Sequence, residues 1–169
     1  MRYLVISDIH GDERAAEIIK EILTKEIIDK VIILGDMYKR GFSSNYHVAD
    51  VLNEFAGKII GIRGNCDSDA DIRVCNFNVE DRILIKIKEK LFFFTHGHLY
   101  NYNTLPIDVD YYVQGHTHIK QIKEVKDMTL LNPGSISYPR DGSKPSYMII
   151  DDYISLYDSD HFLIEQIKI

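Results

Sequence analysis

Short apolar runs that each end in an aspartate or an asparagine constrain this chain most. The first three runs cover residues 3–7, 31–34 and 58–63, and they are followed by Asp8, Asp36 and Asn65. Between them lie two stretches with apolar residues at three- and four-residue spacing, one around 15–23 and one over about 44–56, which is typical of helices. The order β-α-β-α-β predicts a parallel sheet that is covered on both faces.

The pattern changes after about residue 75. Residues 82–88 alternate between apolar and polar positions, and 91–95 form an aromatic run. Short β-rich segments follow near 111–114, 119–125, 128–131, 146–150, 153–157 and 161–168. Short strands with little helix predict a second sheet. We therefore expect a two-sheet α/β sandwich with helices outside, built as one domain over 1–169.

Composition limits the classes of partner. The chain has 20 Lys and Arg against 26 Asp and Glu, a formal charge of −6, which disfavours bulk nucleic-acid binding. Bound metal ions would escape that argument, because they dominate the local charge. Two cysteines make no disulfide framework, and the N-terminus resembles neither a signal peptide nor a membrane span. We expect a cytoplasmic chain without membrane contact.

Polar side chains that follow strands can converge on one point, because ligands bind beyond the carboxyl ends of strands in α/β sheets. Two later motifs add histidines at such ends. The candidate donors are Asp8, His10, Asp36, Asn65, His96, His116 and His118. Oxygen and imidazole donors suit divalent manganese, iron, cobalt, nickel or zinc. Seven ligands fit two ions with open positions, and Asp36 is the natural bridge between them.

The spaced motifs resemble the five-block signature of the calcineurin-like metallophosphoesterases. The blocks are Asp8-x-His10, Gly35-Asp36, Gly64-Asn65-x-Asp67, His96 and Gly115-His116-x-His118. The forms Thr95-His96-Gly97-His98 and Asn132-Pro133-Gly134-Ser135 resemble the small archaeal and bacterial phosphodiesterase branch, whose eukaryotic relative is a retromer subunit. The resemblance implies a four-layer αββα sandwich of two mixed β-sheets with flanking helices.

The resemblance also implies the ligand sets. One ion would be held by Asp8, His10, Asp36 and His118, and the other by Asp36, Asn65, His96 and His116. Two such ions activate a bridging water for in-line attack on a small phosphodiester, without a covalent intermediate. Manganese is the expected metal, with nickel, cobalt, iron or zinc as alternatives. A homodimer is compatible with the branch.

Cys66 departs from many family members, which carry a histidine there that is thought to assist the leaving group. A neutral thiol is a poorer proton donor, so we expect weak activity on phosphomonoesters. The other catalytic candidates, besides Asn65, are His98 and Asp67; Asp67 either orients a neighbour or forms a turn. The candidate substrate contacts are Cys66, Arg63 and Arg140, whereas Lys39 and Arg40 are interpreted as surface charge.

Two alternative functions and a second interpretation of one tyrosine cluster accompany this assignment. A non-catalytic metal-binding scaffold that holds a partner protein would use the same fold, but the intact donor set favours the enzyme. A nucleotide-binding doubly wound domain is excluded, because the first strand leads into Asp8 and Asp12 rather than a glycine-rich loop. The tyrosines 100, 102, 111 and 112 form either a stacking surface or, preferably, aromatic packing.

Overall fold

The computed structural model describes residues 1–39, 44–105 and 107–169, so Arg40 lies outside the described residues. Within them, the strands form two sheets, one of seven strands and one of five. The first sheet contains β1 (Tyr3–Ile6), β2 (Lys30–Ile33), β3 (Ile59–Ile62), β4 (Val79–Glu80), β10 (Ser146–Ile150), β11 (Tyr153–Asp158) and β12 (Leu163–Lys168). The second contains β5 (Arg82–Ile87), β6 (Lys90–Thr95), β7 (Tyr111–Gln114), β8 (Gln121–Val125) and β9 (Met128–Asn132). The strand order is β12-β11-β10-β1-β2-β3-β4 in the first sheet and β5-β6-β7-β9-β8 in the second.

Both sheets are mixed. Strands β1 to β4 run parallel, and β10, β11 and β12 continue the sheet in antiparallel pairs on the other side of β1. In the second sheet β6, β7 and β9 are parallel, with β5 and β8 antiparallel at its edges. The helices are α1 (Glu13–Lys25), α2 (Ser44–Glu54) and the single turn α3 (Asp69–Ile72). The two mixed sheets confirm the predicted fold class.

Alternate residues of the parallel strands enter two different cores. Val5 packs between the sheets with Phe92 and Phe94, whereas Leu4 packs under the helices with Ile19. Burial on both faces explains why β1, β2 and β3 are apolar at nearly every position, since each face of the first sheet meets another layer.

The outer face of the second sheet is covered differently. Phe93, Tyr112 and Leu130 pack there with Val109, and partly buried residues such as Tyr100 lie against them. The described covering segment contains one short 3-10 turn, Tyr102–Thr104, so this flanking layer is thinner than the resemblance implies. Aromatic side chains cover this face in place of a long helix, and the predicted packing role of the tyrosines is confirmed.

Strand direction places the motifs at one end of the sandwich. Strands β1, β2 and β3 are parallel, so the loops after them, which carry Asp8, Asp36 and Asn65, emerge at the same edge. The parallel strands β6 and β7 bring the loops that begin at His96 and Gly115 to that end. In the part of the chain that the structure describes, no helix combines the length and apolarity needed to cross a membrane.

Candidate metal centre

Close backbone contacts fix the loops of the site. A Cβ atom on Gly64 would lie 2.1 Å from Asp36 Oδ1, and one on Gly115 would lie 1.8 Å from Ser7 Oγ. Neither position can carry a side chain unless the neighbouring motif moves. The glycines of the motifs therefore let the loops that carry the ligands approach each other.

Five of the candidate ligands have left-handed backbone conformations. Their φ angles are +56° at Asp8, +50° at His10, +50° at Asp36, +64° at His116 and +61° at His118. Non-glycine residues rarely adopt this region, although Asp and His tolerate it better than most. Such strain concentrates at functional sites, where it aims a side chain at the cost of stability.

The first group of donors contains Asp8, His10 and His118. Their ligand atoms lie within 4.8 Å of one another. His118 Nε2 is 3.3 Å from Asp8 Oδ1 and 3.1 Å from His10 Nε2. The ring of His118 is oriented by its Nδ1–H, which donates to the Tyr138 carbonyl at 2.7 Å.

The second group contains Asp36, His96 and His116, also within 4.8 Å of one another. His96 Nε2 is 3.4 Å from Asp36 Oδ2 and 3.0 Å from Asn65 Oδ1. Its Nδ1–H donates to the Leu34 carbonyl at 2.6 Å. His116 Nδ1 lies 3.2 Å from His96 Nε2.

Asp36 lies between the two groups. His10 of the first group approaches Asp36 Oδ2 to 3.7 Å, while His96 of the second approaches the same oxygen to 3.4 Å. Burial opposes ionisation of this carboxyl, but its contacts with His96 and the Cys66 N–H outweigh burial and lower its pKa. An ionised Asp36 can share its two oxygens between two cations.

The electrostatics of both groups fit divalent cations. Because a carbonyl can only accept, Nδ1 carries the proton of each neutral His96 or His118 ring. The neutral ring therefore has a lone pair on Nε2, and this lone pair faces a carboxylate oxygen. Asp8 Oδ1 is buried and has no hydrogen-bond partner in the described structure. Acceptors that converge in a buried site repel each other unless a positive charge lies between them.

The histidine pKa values respond to the same carboxylates. Burial lowers the pKa of His96 and of His118, but a protonated ring can donate from Nε2 to Asp36 or to Asp8, and this stabilisation of the charged form raises both values. At His10 burial prevails over the two aspartates and lowers the pKa. The carboxylates thus attract positive charge most strongly to the innermost rings.

Cys66 borders the site. Its N–H donates to Asp36 Oδ1 at 2.8 Å, and its sulfur lies within 4.8 Å of donor atoms of His10 and Asp36. Burial and the Asp36 charge raise the pKa of the thiol to about 11. The thiol is therefore neutral near pH 7, and a neutral thiol of that pKa is a poor acid and a poor nucleophile.

Asp67 and Arg63 hold the loop that carries Asn65. The buried Asp67 accepts from the Gly64 N–H at 2.8 Å and from the Tyr38 N–H at 3.1 Å, and burial raises its pKa to about 6. Arg63 pairs with Asp69 at 2.6 Å and donates to the Asp67 carbonyl. In this arrangement both side chains act on the loop backbone.

His98 and Arg140 lie at the open side of the centre. The exposed His98 ring has its centre 5.2 Å from that of His96 and 6.4 Å from that of His116. Arg140 lines a pocket together with His10 and His118. The other two histidines are engaged elsewhere: His47 pairs with Glu17, and His161 contacts Tyr147.

Residues at the end of β9 and directly after it support the site, and they were not assigned a role from the sequence. Asn132 Nδ2 donates to the Gly115 carbonyl at 2.9 Å, and Asn132 is almost fully buried. Ser135 and Ser137 both donate to the Asp8 carbonyl, at 2.8 and 2.7 Å. A run of small polar residues around a Pro-Gly pair in an otherwise apolar region is the signal that could have identified them.

Comparison with known proteins agrees with this geometry. The domain model of the calcineurin-like phosphoesterase superfamily matches residues 1–152. Phosphodiesterase YfcE of Escherichia coli is 35% identical over an alignment of 183 residues, which covers 100% of this chain and 98% of the relative. The solved structure of YfcE, described as a phosphoesterase, aligns with a TM-score of 0.90 at 31% identity and covers 99% of both chains.

Two further relatives widen the range. Phosphodiesterase MJ0936 of Methanocaldococcus jannaschii is 30% identical over an alignment that covers 79% of this chain and 83% of the relative. Vps29 of Entamoeba histolytica, solved in complex with Zn²⁺, aligns with a TM-score of 0.68 at 25% identity over 99% of each chain. The similarity therefore extends along nearly the whole chain and includes a structure with a bound divalent metal.

Proposed function

The chain belongs to the calcineurin-like phosphoesterase superfamily, and on that premise we propose that it is a metal-dependent phosphodiesterase that acts on a small phosphodiester. The observation that carries the proposal is the pair of donor groups that meet at Asp36. Relatives named phosphodiesterase support the choice of reaction.

The donors divide between two divalent ions. Asp8, His10, Asp36 and His118 would hold one, and Asp36, Asn65, His96 and His116 the other. Two cations at such a centre supply a lowered water pKa and charge that stabilises the phosphate oxygens during in-line displacement. We propose manganese as the metal, with nickel, cobalt, iron and zinc as alternatives.

The protein's own part is to orient donors and to receive the substrate. Backbone carbonyls fix the rings of His96 and His118, so that the Nε2 lone pairs point inward. His98 and Arg140 border the open side, where they can contact a substrate that reaches the ligands. We assign Asp67 and Arg63 to positioning of the Asn65 loop.

Leaving-group assistance is weak at this site. The neutral thiol of Cys66 occupies the place beside Asp36 where a histidine would donate a proton. An activated diester arm departs with little help, whereas a monoester dianion needs more. The proposed enzyme therefore prefers phosphodiesters and is weak on phosphomonoesters.

The test is hydrolysis of bis(p-nitrophenyl) phosphate and p-nitrophenyl phosphate with added Mn²⁺, Ni²⁺ or Zn²⁺, and with chelator. We expect metal-dependent cleavage that prefers the diester and is lost in His116→Ala and Asn65→Ala. His47→Ala is the matched control, because His47 is paired with Glu17 outside the site.

The alternative is a non-catalytic metal-binding scaffold that binds a partner protein. The similarity to the structure of Vps29 is the reason to test it. The same assay separates the two functions. Two ions bound per chain without turnover by any metal would reject the enzyme and favour the scaffold.

A further inference from the structure

A pocket of about 370 Å³ opens beside the first donor group. It is lined by His10, Lys39, His118, Tyr138, Pro139 and Arg140, and we call it the Tyr138 pocket. Its volume lies at the lower end of the range for small-molecule sites. Since His10 and His118 form part of its wall, a group bound there would adjoin a phosphate held at the metal centre.

Tyr138 gives this pocket an aromatic wall whose backbone is held in place. Its N–H donates to Ser135 Oγ at 2.8 Å, and its carbonyl accepts from His118 Nδ1 at 2.7 Å. Its ring centre is 6.3 Å from that of His10, yet the residue is 50% exposed. An aromatic side chain that remains half exposed beside a site, on a backbone held by two hydrogen bonds, offers a flat surface to a ligand.

Two positively charged residues, Lys39 and Arg140, line the same pocket, although the chain has a net charge of −6. The backbone N–H of Arg140 donates to the His118 carbonyl at 3.1 Å. This hydrogen bond fixes the backbone of Arg140 relative to that of a proposed metal ligand. Among the described residues, no carboxylate forms an ion pair with the Arg140 guanidinium. Lys39 is anchored through its backbone, which exchanges hydrogen bonds with the Asn45 side chain at 2.9 and 2.7 Å.

We propose that the Tyr138 pocket binds one ester arm of the substrate, and that this arm carries a second phosphate group. The inference rests on the proposed function, which places the reacting phosphate at the metal centre. The second phosphate contacts Arg140 and Lys39, and the group that connects the two phosphates lies along Tyr138. A guanidinium binds phosphate through two parallel hydrogen bonds, which a substrate with an uncharged arm cannot use.

The test compares two p-nitrophenyl esters of thymidine 5′-phosphate, one with a free 3′-hydroxyl and one with a 3′-phosphate. Both release the same phenolate from the same kind of phosphate, so they differ only in the group at the 3′ position of the retained arm. With Mn²⁺, we expect kcat/KM to be about tenfold or more higher for the 3′-phosphorylated ester, since one charge-assisted contact is of that order. The preference should fall as salt is added.

Variants assign the preference to the pocket. Arg140→Ala should bring the ratio of the two kcat/KM values close to one, and Arg140→Lys should retain part of it. Lys123→Ala, which removes an exposed charge from the edge strand β8 outside the pocket, should keep the wild-type ratio. Equal cleavage of both esters by the wild type, or a ratio that survives Arg140→Ala, would overturn the inference alone. No cleavage of these esters or of bis(p-nitrophenyl) phosphate with any metal would overturn the proposed function, and the inference with it.

Discussion

The two ends of β1 use carboxylates in opposite ways. At its start, Arg2 pairs with Glu26 at 2.8 Å, and Lys88 pairs with Asp152, all at partly or fully exposed positions. At its end, Asp8 is buried and its Oδ1 has no hydrogen-bond partner in the described structure. Charges that serve only the fold are paired in solvent, whereas buried acceptors that face one another indicate a site built for a cation.

Left-handed backbone occurs at both ends, for different reasons. Lys88 and Glu89, with φ of +49° and +66°, are the two central residues of the hairpin between β5 and β6, a turn that requires such angles. Asp8, Asp36 and His116 lie in no two-residue hairpin, so we attribute their positive φ angles to the orientation of proposed metal ligands. Each such residue costs on the order of 1–3 kcal/mol where no turn favours it.

The largest difference between the two ends should appear when one aspartate at each end is neutralised. Asp36→Asn should lower kcat/KM on bis(p-nitrophenyl) phosphate by on the order of 10³-fold or more, because one neutral oxygen then serves two ions. Steady-state kinetics with Mn²⁺ and the metal content per chain measure the effect.

The control for that experiment is Asp152→Asn, which removes an exposed partner of Lys88. We expect kcat/KM to stay within about twofold of the wild type, since exposed pairs contribute little. Comparable losses in the two variants would mean that the ends are not functionally distinct.

The next largest effect should follow from removing a side chain that supports the loop of a proposed ligand. Asn132→Ala removes the donor to the Gly115 carbonyl, which precedes His116, and should reduce activity or Mn²⁺ affinity by about 10–100-fold. Asn103→Ala, at an exposed turn over the outer face of the second sheet, should change neither. Titration of Mn²⁺ against activity separates a loss of affinity from a loss of rate, and full activity of Asn132→Ala would show that the ligand loop needs no such support.

The thiol beside Asp36 gives a gain of function. Cys66→His should raise activity on p-nitrophenyl phosphate by about tenfold or more, because an imidazole titrates near neutrality and a thiol with a pKa of about 11 does not. Cys75→Ser, at the cysteine that contacts Tyr38, is the control. An unchanged ratio of monoester to diester turnover would show that the residue beside Asp36 does not limit the choice of leaving group.

The smallest effect tests whether the backbone strain is equal at the two ends. Without metal, His116→Gly should be more stable than His116→Ala by about 1 kcal/mol, or about 2–4 °C in melting temperature, because glycine accepts a positive φ. Glu89→Gly and Glu89→Ala should show the same difference. A difference confined to Glu89 would mean that the His116 loop relaxes when the metals are removed.

Much of this arrangement could be predicted from the sequence, because its signals are local. Apolar runs identify strands, and the polar residue after each run identifies a strand end, so Asp8, Asp36 and His96 could be assigned together. The support of those ligands could not be predicted. The hydrogen bond that the Tyr38 N–H donates to Asp67 joins residues 29 apart in the sequence. The one that the Ser135 hydroxyl donates to the Asp8 carbonyl joins residues 127 apart. Such pairings depend on the tertiary fold, as does the aromatic covering of the second sheet.

The neighbours of β1 have a consequence for how the chain folds as it is synthesised. One edge of β1 pairs with β2, which follows soon after it, but the other pairs with β10, more than a hundred residues later. A nascent chain therefore exposes one unpaired edge of a fully apolar central strand until β10 has left the ribosome. Contacts of such long sequence separation slow folding and leave the strand open to aggregation in the meantime.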